Sequence, residues 1–194
     1  KEENTPSLVA SLRRFCPVWV SDVKTIRDAT KMMRRLGELV DRIPEAETIV
    51  QSVNKRFPSV LPNPISRVAY FIWRDPWMVA GGDTFISHCL QHSGYENVFA
   101  DRQRYPEVSI EDIKAAKPDK LLFSSEPFPF KQRHLLEVQD KLPGIVCEKV
   151  DGKRYSWYGS RLIKWVDCIS KKEKHMIETI DATRLQEKRD ANED

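Results

Sequence analysis

The chain has 194 residues, of which 32 are Lys or Arg and 29 are Asp or Glu, so its net charge is only +3. A hydrophobic share of 40% excludes wholesale disorder, and no apolar run approaches the roughly 18 residues that a membrane-spanning helix needs. Seven Gly and 12 Pro exclude collagen-like and low-complexity classes, and nearly balanced charge is no footprint of nucleic-acid binding.

In chain order, residues 6–15 predict a short helix that stops before Pro17, and the apolar, β-branched run 17–21 predicts a strand. Residues 24–56 carry Ile26, Ala29, Met33, Leu36, Leu39 and Val40, then Ala46, Ile49, Val50 and Val53. Steps of three and four predict a helical stripe, either one long helix with a break at Pro44 or two joined helices. The proline-rich stretch 57–64 marks a boundary. The near-continuous apolar run 67–73 predicts a strand buried on both faces. Gly81-Gly-Asp-Thr84 opens a helix through Gln91, with Asp83 or Thr84 as its cap, and Ser93-Gly94 stops it. A helix capped at Ser109 follows, then a strand at 119–124, a loop, a helix at 131–140, a strand at 144–150, an aromatic loop at 155–159 and a closing helix at 160–169. Strands alternating with helices predict an α/β fold: a Rossmann-like unit whose parallel sheet is covered on both faces. The charge-rich residues 171–194 read as a frayed helix or solvated tail without assigned function.

Cys16, Cys89, Cys147 and Cys168 are scattered without a C-x-x-C pair, which argues against a structural zinc site. They read either as buried small hydrophobes or as partners in one or two disulfides. The opening KEENTPSLV has neither an initiator Met nor an apolar signal region. The expectation is that a segment was removed before residue 1 or that the chain is part of a longer one.

Ligands of parallel α/β sheets bind at the carboxyl ends of the strands. The three loops there share an unusual composition: Trp73, Asp75, Trp77 and Met78 in the first, Glu126, Phe128 and Phe130 in the second, and Tyr155, Trp157, Tyr158 and Arg161 in the third. Large rigid aromatics with sparse polar groups suit a wide, flat, partly apolar ligand. The plainer alternative is that they close the core beneath the loops. No nucleophile elbow or phosphate-binding loop is present. The amides at Gly81-Gly82 either meet a ligand carboxylate or phosphate or serve an ordinary strand-to-helix turn. His88 and His92, four apart without a third ligand in view, read as a surface pair. Asp75 and Glu126 are the one loop carboxylate pair that the sheet brings near each other. As acid and base they would make the chain a small α/β enzyme; hydrogen bonding to loop amides is the simpler role.

The ordered set Trp73-Arg-Asp-Pro-Trp-Met78, Gly82-Asp-Thr-Phe-Ile86, Gly94-Tyr-Glu-Asn-Val-Phe-Ala-Asp101, Arg104-Tyr-Pro106, Pro118-Asp119, Ser125-Glu-Pro-Phe-Pro-Phe130 and Ser156-Trp-Tyr-Gly-Ser-Arg161 resembles the helical-backbone metal receptors. These are the class III periplasmic substrate-binding proteins of ABC importers, which carry cobalamin, ferric siderophores or haem. The similarity is strongest to the cobalamin-binding branch and spans about residues 1–165.

The resemblance implies two Rossmann-like lobes joined by one long helix, with the ligand in the cleft between them. On that basis residues 1–23 are what remains of a first lobe, residues 24–65 are the backbone helix and linker, and residues 66–170 are the second lobe. It implies ligand contacts from Glu3, Asn4, Trp73, Asp75, Trp77, Met78, Glu126, Phe128, Trp157, Tyr158 and Arg161. It implies a docking carboxylate at Glu111 for a membrane permease, no catalysis, no resident cofactor and a periplasmic location. The resemblance implies that the ligand is cobalamin or a related metal chelate. A ferric siderophore or haem on the same scaffold is the alternative, Tyr158 being the candidate at a haem iron and Arg74 or Arg161 the partner of peripheral carboxylates. With most of a first lobe missing, a fragment that acts only in assembly is a further alternative.

Overall fold

Strand β1 (Ser66–Trp73) carries an unbroken apolar run from Val68 whose side chains must be buried on both sides, and the architecture follows from that demand. The computed structural model describes residues 4–57, 61 and 63–164. Helices α1 (Pro6–Leu12), α2 (Ile26–Leu39) and α3 (Ile43–Asn54) precede β1. After it come β2 (Met78–Val79), α4 (Phe85–His92), β3 (Tyr95–Asn97), α5 (Ile110–Ala116), β4 (Lys120–Ser124), α6 (Gln132–Lys141), β5 (Val146–Val150), α7 (Gly152–Ser156) and a 3₁₀ turn, Ser160–Lys164.

The sheet runs β2-β1-β4-β5, with β3 also beside β1. β3, β4 and β5 join by parallel pairing, and β2 folds back antiparallel on the end of β1. Val68, Tyr70 and Ile72 of β1 and Leu122 of β4 face one core with Ala29 and Met33 of α2, Val50 and Val53 of α3, and Leu90 of α4. Ala69 and Phe71 of β1 and Leu121 and Phe123 of β4 face the other, with Ile113 of α5 and Leu135 and Val138 of α6. The sheet is thus covered on both faces, as expected of the α/β class.

The helical region at 24–56 is two helices. Asp41, at φ 53°, turns the chain between them, and Pro44 lies in the first turn of α3. The two pack against each other: Gly37 abuts Ala46, and Arg34 pairs with Glu47 at 2.8 Å. In one continuous helix, residues 13 apart would lie about 20 Å apart, so a single long helix over this stretch is excluded. Ile26, Ala29 and Met33 are buried, whereas Leu36, Leu39 and Val40 are exposed at 43–65%. Helix α2 starts with a reciprocal cap between Thr25 and Asp28.

Other expectations are corrected. Residues 17–21 form no strand: no described strand completes a ladder beside them, and Trp19 and Val20 are 46% and 37% exposed. The expected loop at 155–159 begins inside α7, and Tyr155 is 3% exposed with its ring 5.1 Å from that of Tyr70, a core residue. Of the closing helix, residues 160–164 form the 3₁₀ turn, and the rest lies outside the described residues, as does the tail. Strands β2 and β3, of two and three residues, were too short for periodicity to reveal. Cys16, Cys89 and Cys147 form no disulfide among the described residues, and burial pushes the Cys147 thiol up to about 11; Cys168 lies outside the described residues.

His88 and His92 are half-buried, which corrects their reading as a surface pair. Their rings meet edge to face at 4.7 Å, and His92 also meets Phe57 at 5.3 Å. No group of three or more metal-ligating side chains forms among the described residues. Burial holds both imidazoles below the usual histidine range, His92 at about 4, with Asp28 partly opposing the effect at His88. The unfolded chain therefore takes up protons here before the folded one does.

Two expected outcomes follow from this packing. Phe123, fully buried and stacked on Phe71 at 4.7 Å, makes Phe123→Ala cost about 3–5 kcal/mol, measured as a lowered urea midpoint with unchanged slope. Stability conferred by the neutral histidines is complete above about pH 6.5 and is lost as pH falls toward 4. The melting temperature of the wild type accordingly falls between pH 7 and 5, and that of His92→Gln falls less over the same interval.

Candidate functional site

Parallel strands β1, β4 and β5 end on one edge, so the loops after Trp73, Ser124 and Val150 are neighbours. At β1, Trp73 is 40% exposed and meets Phe128 edge to face at 5.6 Å. Arg74 donates to Glu137 of α6 from Nε at 3.1 Å and Nη2 at 2.8 Å, and it also pairs with Asp75. Its guanidinium is thus held by two carboxylates, leaving it poorly placed as a partner for ligand carboxylates.

Trp77 and Met78, consecutive in the chain, go to opposite faces of the sheet. Trp77 stacks on Phe130 at 6.2 Å and meets Phe71 at 5.7 Å in one core, while Met78 packs against the other. Phe128 joins Phe130 at 4.8 Å and His134 at 5.3 Å. Tyr158 is half-buried, its ring 5.4 Å from that of Phe85.

Glu126 binds the second loop to the third. Its Oε1 accepts from Trp157 Nε1 at 2.6 Å and from Ser156 Oγ at 3.3 Å. Gly152 donates its amide to Ser125 Oγ at 3.0 Å. A Cβ at Gly152 would collide with Ser124 Oγ and Glu126, so the two loops close here only around glycine. Tyr70 donates to Ser124 Oγ at 3.2 Å from below. Trp157 itself is 51% exposed, with the Arg161 guanidinium 5.4 Å and the Lys153 ammonium 5.9 Å from its ring centre.

Asp75 and Glu126 form no pair. The Asp75 side chain is 76% exposed and bound to Arg74, while Glu126 is engaged by the indole and Ser156. The amides at Gly81 and Gly82 are not free for a ligand either. They donate to the carbonyls of Arg104 and Arg102, both at 2.8 Å, which ties the 98–106 segment across the start of α4. Asp83 accepts from the Arg104 amide and from Lys24 Nζ at 3.4 Å, and these partners hold its carboxyl below the usual carboxylate range.

Asn4 is exposed just ahead of α1, a helix that buries none of its residues, and Glu3 lies outside the described residues. Glu111 sits exposed in the first turn of α5. That helix leads into the start of β4, so its first turn lies toward the same carboxyl edge as the three loops. Beside it, Asp112 accepts from the amide of the capping Ser109 at 2.8 Å and pairs with Arg102 at 2.6 Å, and these partners hold its carboxyl far below the usual range; Glu111 makes no ion pair among the described residues.

Sequence reasoning missed Asp151, Lys153, Arg154 and Lys164, which line a concavity of about 160 Å³ around Trp157 and Arg161. The available signal was the basic pair Lys153-Arg154 directly after a strand end, followed by Arg161 and Lys164 three apart.

Residues 16–142 match a family model described as periplasmic binding protein. Among solved structures, a possible iron-binding, periplasmic solute-binding protein from Staphylococcus epidermidis is 24% identical with a TM-score of 0.65, covering 85% of this chain and 71% of that one. The periplasmic heme-binding protein RhuT from Roseiflexus sp. RS-1 is 18% identical with a TM-score of 0.66, covering 83% and 68%. The periplasmic vitamin B12 binding protein BtuF of Vibrio cholerae is 18% identical with a TM-score of 0.60, covering 83% and 66%. These likenesses show the fold, and comparison with curated proteins finds no match. Because the family model spans well over half of its 194 residues, the chain belongs to the periplasmic binding protein family.

Proposed function

We propose that this chain is the solute-binding component of an ABC import system, and that it binds a metal chelate and delivers it to a membrane permease. The observation that carries the reading is the pair of indoles left exposed at the carboxyl edge, Trp73 at 40% and Trp157 at 51%, each held by the neighbouring loop. Exposed, rigid, flat surfaces of this kind suit the apolar body of a corrin, a porphyrin or a bulky siderophore. The iron-, heme- and vitamin B12-binding relatives support the same class. Cobalamin is one member of it; a ferric siderophore or haem is the alternative on the same scaffold.

In this reading the chain performs no chemistry. Affinity comes from stacking on Trp157 and Trp73 and from exclusion of water. Arg161 meets polar groups at the ligand's edge, and Tyr158, Phe128, Glu126, Asp75, Trp77 and Met78 shape or support the surface. Residues 66–170 form the ligand-facing second lobe. Residues 1–23, with Glu3 and Asn4, belong to the opposite lobe, and residues 24–65 join the two. Glu111 presents a free carboxylate to arginines of the permease, and the protein works in the periplasm or on the outer face of the membrane.

Titration with cyanocobalamin, haemin and ferrichrome, followed by tryptophan fluorescence with free tryptophan as the inner-filter control, tests the reading. At least one chelate is expected to quench saturably at micromolar concentration. Trp157→Ala is expected to abolish most of that quench and to raise the dissociation constant about tenfold or more. Linear, unsaturable quenching by all three would count against it.

A further inference from the structure

The opposite edge of the sheet carries a second concavity. Helix α5 turns into β4 at 117–119, and α6 turns into β5 at 142–145. Because the two strands are parallel neighbours, these turns lie side by side at the amino edge. Between them is a groove of about 500 Å³, a size that suits a small molecule. Its apolar surface is Ile113, Leu142 and Ile145, with the rings of Pro118 and Pro143.

The acceptors around the groove are engaged. Asp119 takes the Arg67 amide at 2.7 Å, and the Lys117 carbonyl takes Arg67 Nη1 at 2.8 Å. The Leu142 carbonyl takes the Ile145 amide at 3.3 Å. The charged donors are not engaged: Lys114 and Lys117 line the groove, are exposed and make no ion pair among the described residues. Lys117 also ends α5 in the left-handed conformation, at φ 49° and ψ 57°, where glycine or asparagine is the ordinary choice.

Two free ammonium groups beside an apolar floor select an anion with an apolar body. The surface is concave, and Ile113 and Leu142 are only 1% and 7% exposed, so they do not project as anchors in a lipid bilayer would. A peptide laid in the groove would bury its own amides against prolines and aliphatic side chains. An unbranched alkyl chain has no such groups to satisfy.

We infer that the groove binds a free medium-chain alkyl carboxylate, its chain against Ile113, Leu142 and Ile145 and its carboxylate between Lys114 and Lys117. This is a second site, at the edge away from Trp73 and Trp157, and it does not depend on the chelate-binding reading.

Calorimetric titration of the full chain with decanoate, kept below the concentration at which it forms micelles, tests the site. Decanamide is the neutral match, and acetate supplies the charge without the chain. Decanoate is expected to bind saturably and about tenfold or more tightly than decanamide, with a dissociation constant that rises with added NaCl, while acetate gives no measurable binding. Lys114→Gln/Lys117→Gln, at two exposed positions, is expected to remove the preference for the carboxylate. Pro143→Asp, which sets a like charge in the exposed turn, is expected to weaken decanoate by a similar factor. Circular dichroism checks that both variants stay folded. Equal affinity for decanoate and decanamide, decanoate binding that survives both variants unchanged, or no saturable binding of decanoate overturns the proposal.

Discussion

The sheet holds together because β1 belongs to two cores at once. Its even-numbered residues face α2, α3 and α4, and its odd-numbered residues face α5 and α6. Every ladder partner of β1 is therefore fixed in register by two independent packing demands, since a slip of one residue would exchange Tyr70 and Phe71 between faces. Tyr70 and Phe71 are both fully buried, and they fill differently shaped spaces: Tyr70 reaches Ser124 Oγ and the Tyr155 ring, while Phe71 stacks on Phe123. The strand end that carries Trp73 is consequently held by the packed core directly beneath it.

That support passes from strand to loop through short polar links. Ser124 ends β4, receives the Tyr70 hydroxyl and donates to the Glu126 carbonyl, while Glu126 in turn fixes the Trp157 indole. The chain of contacts runs from a fully buried ring to a half-exposed one in three hydrogen bonds. Glu126 is then better understood as the group that orients Trp157 than as a group that touches ligand. Arg74 has the same character on the neighbouring loop: its bonds to Glu137 tie the loop to α6.

Helices and strands with clear periodicity or caps were legible in the sequence. Thr84 and Ser109 cap α4 and α5 as their positions suggested, because a hydroxyl accepting the amide three residues on is a local interaction. The direction of the helix pair did not follow from apolar spacing. The turn depends on Asp41 adopting a left-handed conformation and on Gly37 admitting Ala46, and neither leaves a mark on the hydrophobic stripe. The run 17–21 has strand composition, yet a strand needs a neighbour, which local sequence cannot supply. The Gly81-Gly82 amides looked free because their partners, the carbonyls of Arg102 and Arg104, come from a segment with no regular pattern.

The aromatic loops illustrate the limit most clearly. Composition marked the carboxyl edge as rich in rings but could not divide them by role, because a ring that supports a surface and a ring that forms it have the same chemistry. The division comes from which side of the sheet each residue reaches. Trp77 and Phe130 descend into the core shared with Phe71 and Phe123, and Tyr155 descends into the other. Trp73 and Trp157 stay at the rim, the first leaning on Phe128 and the second held by Glu126. The buried rings fix the height and tilt of the edge, and the rim rings offer their faces. Where the rim lacks further aromatic cover, at Trp157, the chain places Lys153 and Arg161 instead. Cations are drawn to an indole face by the ring's negative quadrupole, and their stems cover part of that face, so the exposed ring at Trp157 is sheltered by charge where Trp73 is sheltered by Phe128.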